Sequence, residues 1–360
     1  MKVFFDNRIF YLQKYGGISR YFFKLNEELL KLNVQPLICS PINYNVYIKK
    51  KPRNVKIHFN IQKKIRFTNK VFEYYNDYFN NYYISQFKPD LMHLTYYQNK
   101  IKIKKEKPII ITVYDLIHEK YYKDYKLDKN TSFKQSYLNA ADHIICISES
   151  TKIDLLNYYK VDHNKVSVVH LGIDNFIQVD SKKERSNFIL YVGDRRRYKN
   201  FEILISAFSN SKNIKNNYTI LCVGGGNFTP LEKENFAKLK ILEKIKFCNA
   251  SDSELIEKYK TASLFVSTSL EEGFGLPPLE AMGCNCKVLV SNIPVYKETL
   301  KDFAYFFNPK DMSNLKHMME EILLNDKENT GRISNAFEHS SSYTWEKCAQ
   351  KTYEIYNKFK

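Results

Sequence analysis

Residues 263–282 read SLFVSTSLEEGFGLPPLEAM and change character twice in a short span. The run to Val266 is apolar and β-branched, as in a strand buried on both faces. Gly273 and Gly275 then permit a tight turn, and Pro277 with Pro278 is tolerated only in the first turn of a helix. Strand, turn and helix in that order form the repeating unit of a doubly wound parallel sheet. The same stretch sets two carboxylates, Glu272 in the turn and Glu280 in the helix, where that unit opens.

Outward from this unit, similar apolar runs recur along the chain: KVFFD, VQPLICS, VKIHF, LMHL, IIITVYD, HIICIS and KVSVVHLG, then FILYVG, YTILCVGGG, IKFC and CKVLVSN. Helical patterns separate many of them. Ile18, Phe22, Leu25, Leu29 and Leu32 share one helix face after Gly17, and Ser251 with Glu254 makes a capping box. The alternation occurs twice, so two Rossmann-like α/β domains are expected, joined within HLGIDNFIQVDSKKERSN, residues 170–187. The N-terminal domain is placed at 1–172 and the C-terminal domain at 173–342, with a last helix in 343–360 expected to pack back on the first. Open α/β sheets bind ligands beyond the carboxyl ends of their strands, so two such domains facing each other would form a deep cleft lined by both.

At 360 residues, with 44% hydrophobic and 26% charged, the composition is that of a folded globular protein. No run reaches the length of a membrane span, and Asp6 and Arg8 interrupt the apolar start where a signal peptide needs continuity. A cytoplasmic protein is expected, peripheral at the inner face of a membrane. The seven cysteines fall mostly inside apolar stretches and read as buried thiols, with no disulfide expected. Cys284 and Cys286 lack the second pair of a zinc site. The net charge of +17 is uneven: residues 1–180 carry 29 Lys/Arg against 17 Asp/Glu, and 181–360 carry 27 against 22. Lys49, Lys50, Lys51, Arg53, Lys63, Lys64, Arg66, Lys102, Lys104, Lys105 and Lys107 surround the tyrosine-rich VFEYYNDYFNNYYISQF. That mixture suits an anionic membrane surface or a nucleic acid, and a codon bias toward Lys, Asn, Ile, Tyr and Phe would also produce it.

Several loops can carry chemistry. YGGISRYF puts Gly16 and Gly17 before a helix, whose free N–H groups and positive dipole end can receive an anion. YVGDRRRYKNF clusters Arg195, Arg196, Arg197 and Lys199 after a strand, enough positive charge for a diphosphate. Gly224 to Gly226 allow close backbone approach by a nucleotide, or simply make a loop. Ionised Glu272 and Glu280 are pure acceptors, suited to the paired hydroxyls of sugars and riboses, and the N–H groups from Gly273 to Leu276 can meet a phosphate or sugar oxygen. A retaining glycosidase would instead set two carboxyls about 5 Å apart across a sugar.

The block EGFGLPPLE, Glu272 to Glu280, resembles the signature of the GT-B glycosyltransferases of the large retaining family 4. Similarity extends to YGGISRYF, PDLMHLTYY, TVYDLIHEKYY, ICISEST, VVHLGID, YVGDRRRYKNF and the Trp345 that opens the last helix. The resemblance implies a nucleotide-sugar donor held by the C-terminal domain and a saccharide or lipid-linked saccharide acceptor held mainly by the N-terminal one, in surface polysaccharide synthesis. By position, Arg195 and Lys199 would neutralise the donor diphosphate and Glu280 would hold the ribose. Glu272, with the backbone of Phe274, Gly275 and Leu276, would hold the transferred sugar. Gly17 would touch the donor phosphate, and Gly224 would border the nucleotide. No cofactor, metal or nucleic acid is expected. Likeness of YVGDRRRYKNF and VYDLIHEKYY to bacterial mannosyltransferases suggests mannose from GDP-mannose.

One departure stands out. Many relatives carry a histidine after the strand matching IIITVYD, where this chain has Tyr114, followed by Asp115 and, three residues on, His118. Either Asp115 or His118 would then orient the acceptor hydroxyl. A same-fold epimerase or phosphorylase, and a non-catalytic basic protein binding membrane or nucleic acid, are the alternative readings.

Overall fold

The computed structural model describes residues 1–50, 53–61, 69–97, 106–121, 130–174, 185–324 and 330–360. Lys51, Lys63, Lys64, Arg66, Lys102, Lys104 and Lys105 of the basic stretch, and residues 175–184 of the expected joint, lie outside the described residues. The chain divides into two compact units, Met1–Gly172 with Trp345–Lys360, and Ile173–Thr344.

The first unit contains β1 (Lys2–Phe5), β2 (Gln35–Cys39), β3 (Ile42–Asn43), β4 (Val55–Lys56), β5 (Phe59–Asn60), β6 (Leu91–Leu94), β7 (Ile109–Val113), β8 (His143–Cys146) and β9 (Val166–Val168). Among the described residues, seven of these lie parallel in the order β4-β2-β1-β6-β7-β8-β9, and β3 pairs with β5. Every residue of β6, β7 and β8 is buried, which explains why these strands read as continuous apolar runs.

The second unit contains β10 (Ser186–Val192), β11 (Thr219–Val223), β12 (Ile245–Cys248), β13 (Ala262–Ser267), β14 (Val288–Ser291) and β15 (Tyr305–Phe307). They form a parallel sheet in the order β12-β11-β10-β13-β14-β15. Its core joins Ile189, Ile220, Leu264 and Val266 of the strands to Leu204 and Phe208 of the helix Phe201–Ser209. In both sheets the strand order reverses beside the first strand, between β1 and β6 and between β10 and β13. A ligand of such a sheet enters beyond the carboxyl ends of those strand pairs.

The helix Trp345–Asn357 belongs to the first unit, although the whole second unit precedes it in sequence. Its Trp345 ring lies 6.4 Å from Tyr21 of the helix Gly17–Lys31. Tyr356 Oη sits 2.6 Å from His93 Nδ1, whose other nitrogen is 2.8 Å from Thr112 Oγ1. His93 is therefore a buried packing residue of β6. The two passages of the chain into and out of the second unit run side by side, with Ile173 N donating to Tyr343 O at 3.0 Å. The cysteines are free and, apart from half-buried Cys248, buried. No helix among the described residues is long and apolar enough to cross a membrane.

Candidate active site

At the reversal point of the second unit, β10 and β13 each end in a loop, and hydrogen bonds tie the two loops together. Leu270 N donates to Tyr198 O at 2.7 Å, and Thr268 Oγ1 donates to Lys199 O at 2.9 Å. Asn200 adopts a left-handed conformation, φ 51°, that ends the short turn Arg197–Lys199 and starts the helix Phe201–Ser209. Lys199 Nζ then meets Glu272 Oε1 at 2.5 Å, and Ser269 Oγ donates to the same oxygen at 2.7 Å. The two side chains keep 19% and 17% exposure, so the pair is sheltered but reachable.

The turn after Glu272 needs its glycine. Gly275 has φ +92°, and a Cβ there would fall 2.6 Å from the Tyr296 ring. Tyr296 is fixed in turn by a 2.7 Å contact between its hydroxyl and Ser267 Oγ. Burial, together with the charge of Glu272, raises the phenols of Tyr296 and Tyr191 well above their ordinary range. Both therefore stay protonated beside the carboxylate. Thr299 Oγ1 donates to Phe274 O at 3.1 Å, and the Phe274 ring packs edge-on to Tyr343. Leu276 begins the helix Leu276–Gly283, in which Pro277 and Pro278 offer no N–H.

Glu280, on that helix, is only 5% exposed and accepts from Tyr259 Oη at 3.1 Å. It was expected at an open cleft and outside the core. It is instead a residue of the packed interior, because one helical turn beyond the glycines carries it under the loop.

Arg195, expected to neutralise the donor diphosphate, is engaged with the protein itself. Its guanidinium donates to Glu232 Oε1 at 2.7 Å, Gly224 O at 3.0 Å, Gly226 O at 2.9 Å and Asn227 O at 3.2 Å. The group also lies 4.7 Å from the centre of the Phe228 ring, and its side chain is 3% exposed. Gly224, Gly225 and Gly226 all have positive φ, and the carbonyls of Gly224 and Gly226 turn to the guanidinium. Arg195 is thus the clamp of the glycine loop, and Gly224 O is one of its acceptors. Arg195, Arg196 and Arg197 line a groove of about 870 Å³ with Asp194, Gly225 and Glu232, which neither Lys199 nor Glu272 lines. The cationic cluster divides in two, and among the described residues only its Lys199 reaches Glu272.

In the first unit, the point between β1 and β6 is filled by charge. Asp6 Oδ1 accepts from Thr95 N and Oγ1, and Arg8 Nε lies 3.0 Å from Asp6 Oδ2. Burial raises the Asp6 carboxyl more than Arg8 and Thr95 lower it, leaving it above its ordinary value. At the end of β7, Tyr114 is buried and donates to Thr95 O at 3.1 Å. Asp115 Oδ1 accepts from Ile117 N, and His118 lies in the short helix Ile117–Lys120. The next residue, Glu119, forms a 2.6 Å ion pair with buried Lys134, whose Nζ also donates to Asp115 O. Lys134 thereby fixes the segment that carries Asp115 and His118.

Gly17 opens its helix, and the preceding Gly16 leaves room for Gln13, whose Oε1 accepts from Ser19 N at 3.2 Å. Sequence reasoning missed Gln13, Lys134, Ser269, Glu232 and Tyr296. Two had a local signal: Ser269 stands three residues before Glu272, and Glu232 stands three residues after Thr229 in a capping box.

Two family models match the chain, Glycosyl transferases group 1 over residues 172–339 and Glycosyltransferase Family 4 over residues 15–175. The chain belongs to the family 4 glycosyltransferases. The O-antigen chain mannosyltransferase RfbU of Salmonella typhimurium is 32% identical over 219 residues, 59% of this chain and 60% of that one. The serotype-specific mannosyltransferase WbdA of Escherichia coli is 27% identical over 250 residues, 62% of this chain and 30% of that one. These alignments therefore span less than two thirds of each relative. In structure, sucrose-phosphate synthase from Thermosynechococcus elongatus matches with a TM-score of 0.79 at 17% identity, over 99% of this chain and 98% of that one. At that identity the likeness speaks for the fold, the GT-B arrangement of two Rossmann-like domains in one chain.

Proposed function

We propose that this family 4 member is a retaining glycosyltransferase that moves a sugar from a nucleotide-sugar donor to a saccharide acceptor in surface polysaccharide synthesis. The mannosyltransferase relatives support mannose as the sugar. As part of the same proposal, GDP-mannose is the donor and a lipid-linked saccharide at the inner face of a membrane is the acceptor. The observation that carries the proposal is the sheltered Lys199–Glu272 pair at the reversal point between β10 and β13.

Cleavage of the donor's glycosidic bond develops positive charge on the sugar and negative charge on the leaving diphosphate. Preorganised charges of the opposite sign stabilise both. Lys199 supplies the cation for the diphosphate, and no cofactor is called for. Glu272, accepting from Ser269, holds sugar hydroxyls and faces the charge developing on the ring. Before the donor arrives the two neutralise each other, so the empty site carries no unpaired buried charge. The family resemblance assigns the ribose hydroxyls to Glu280, which Tyr259 steadies and which offers them only the small part of its side chain left exposed. Because Arg195 is committed to carbonyls, its contribution is indirect, through the shape of the glycine loop. On the acceptor side, Asp115 or His118 orients the attacking hydroxyl, and the leaving phosphate oxygen takes its proton.

Thermal unfolding in the presence of a panel of nucleotide sugars tests this. A donor at a hundredfold its dissociation constant stabilises the protein by about 2.7 kcal/mol. A shift with GDP-mannose that is absent in Lys199→Ala is expected. No shift with any nucleotide sugar would refute the proposal.

A further inference from the structure

The helix Asn69–Phe87 carries rings on two sides. Its inward side holds Tyr75, Phe79 and Tyr83, packed around His58, together with amides. Asn76, fully buried, accepts from Ile42 N at 2.8 Å and donates to Ile42 O at 3.0 Å, and Asn80 donates to Asn7 Oδ1 at 2.6 Å. Its outward side carries Val71, Tyr74, Tyr78 and Tyr82, exposed by 65%, 69%, 67% and 47%. Steps of three and four residues place these four in one stripe. The helix's carboxylates lie off that stripe, where the charge of Asp77 acts on Arg8 and that of Glu73 on Tyr11.

Beside the last turn, Tyr82 shares a groove of about 540 Å³ with Leu30, Leu37, Phe87, Arg53 and Lys56. Arg53 and Lys56 are exposed, and the groove's lining includes no carboxylate. A ring with a polar tip is the side chain that settles at the boundary between lipid and water. Cations at the mouth of an apolar groove complement lipid phosphates.

We propose that this face of the first unit docks on an anionic lipid surface, with the tyrosines at headgroup depth and Arg53 and Lys56 against lipid phosphates. The docking rests on the proposed function only for its purpose, which is to bring the chain to a lipid-linked acceptor. Vesicle binding needs neither donor nor acceptor, so the two stand or fall separately.

The test is co-sedimentation of the full chain with vesicles of phosphatidylcholine alone or mixed with phosphatidylglycerol. Binding to the mixed vesicles is expected, weakened by salt. Arg53→Ala with Lys56→Ala should lower it about thirtyfold, at about 1 kcal/mol per cation. Tyr74→Ser, Tyr78→Ser and Tyr82→Ser combined should lower it about tenfold with an unchanged melting temperature, since all three rings are exposed. Nucleotide-sugar thermal shifts should persist in both variants. Wild-type binding by both variants, or equal binding to the two kinds of vesicle, overturns the proposal. So does a dimer that the tyrosine substitutions dissolve in a protein that binds no vesicles.

Discussion

Arg195 and Lys199 lie four positions apart in the same cationic run, and the structure gives them opposite employment. Removing Arg195 takes the charged partner from Glu232, which keeps Thr229, and the donor from three carbonyls, so Arg195→Ala should cost about 3 kcal/mol in urea unfolding. Lys199→Ala should change stability by less than about 1 kcal/mol and weaken donor binding at least about tenfold, measured by titration calorimetry. Equal losses of stability in the two variants would contradict this division. Gly275→Ala should cost about 1–3 kcal/mol, since a methyl group there collides with Tyr296 and the backbone must hold positive φ. Gly226→Ala has open space around its Cβ and pays only for its φ of +78°, so it should cost less. Glu280→Gln keeps an acceptor for Tyr259 and is the better probe of ribose binding than Glu280→Ala, which would also disturb the interior.

At the scale of single elements, the glycine loop and the helix after it form one acid-sensitive piece. Burial raises the Glu232 carboxyl, but hydrogen bonds from Arg195 and Thr229 outweigh it and hold the group below its ordinary value. A depressed folded value means the contribution is complete above about pH 4.5 and is lost as the pH falls through the folded pKa. Hydrogen exchange over residues 224–229 should accordingly rise on acidification below pH 4.5, and not between pH 7 and 5. How legible these elements are in sequence depends on how local their causes are. The buried strands, the Ser251 capping box and the Gly275 turn were readable because a few consecutive residues determine each. Tyr305–Phe307 was missed as a strand because three residues carry no period. The Arg195 clamp and the Gln13 cap depend on which loops fold together. Arg195 and Gly224 are 29 positions apart, and no local pattern announces their meeting. Glu272, a carboxylate in a glycine turn, and Lys199, a cation after a strand, stand out in the sequence, but their pairing, across 73 positions, does not.

At the scale of the whole molecule, burial of neutral histidine makes the first unit sensitive to mild acid. Burial pushes His93 down to about 3, and burial together with Lys358 pushes His143 down to about 4. Folded values below the unfolded value of about 6.5 mean that the unfolded chain takes up protons first. Stability is therefore fully present above pH 6.5 and declines as the pH falls toward about 3. His93→Gln should flatten that decline in a series of thermal melts between pH 7 and 4, and an unchanged slope would rule out His93 as its source.

The helix that touches His93 is also the part of the first unit made last. Ribosomes add roughly 5–20 residues per second, so Tyr356 follows Gly172 by about ten to forty seconds, while the second unit emerges between them. During that interval Tyr21 and His93 wait without their cover. The unit begun first is completed last, so the nascent chain presents an apolar docking surface for the whole time its second half is being translated, a natural place for a chaperone to hold on.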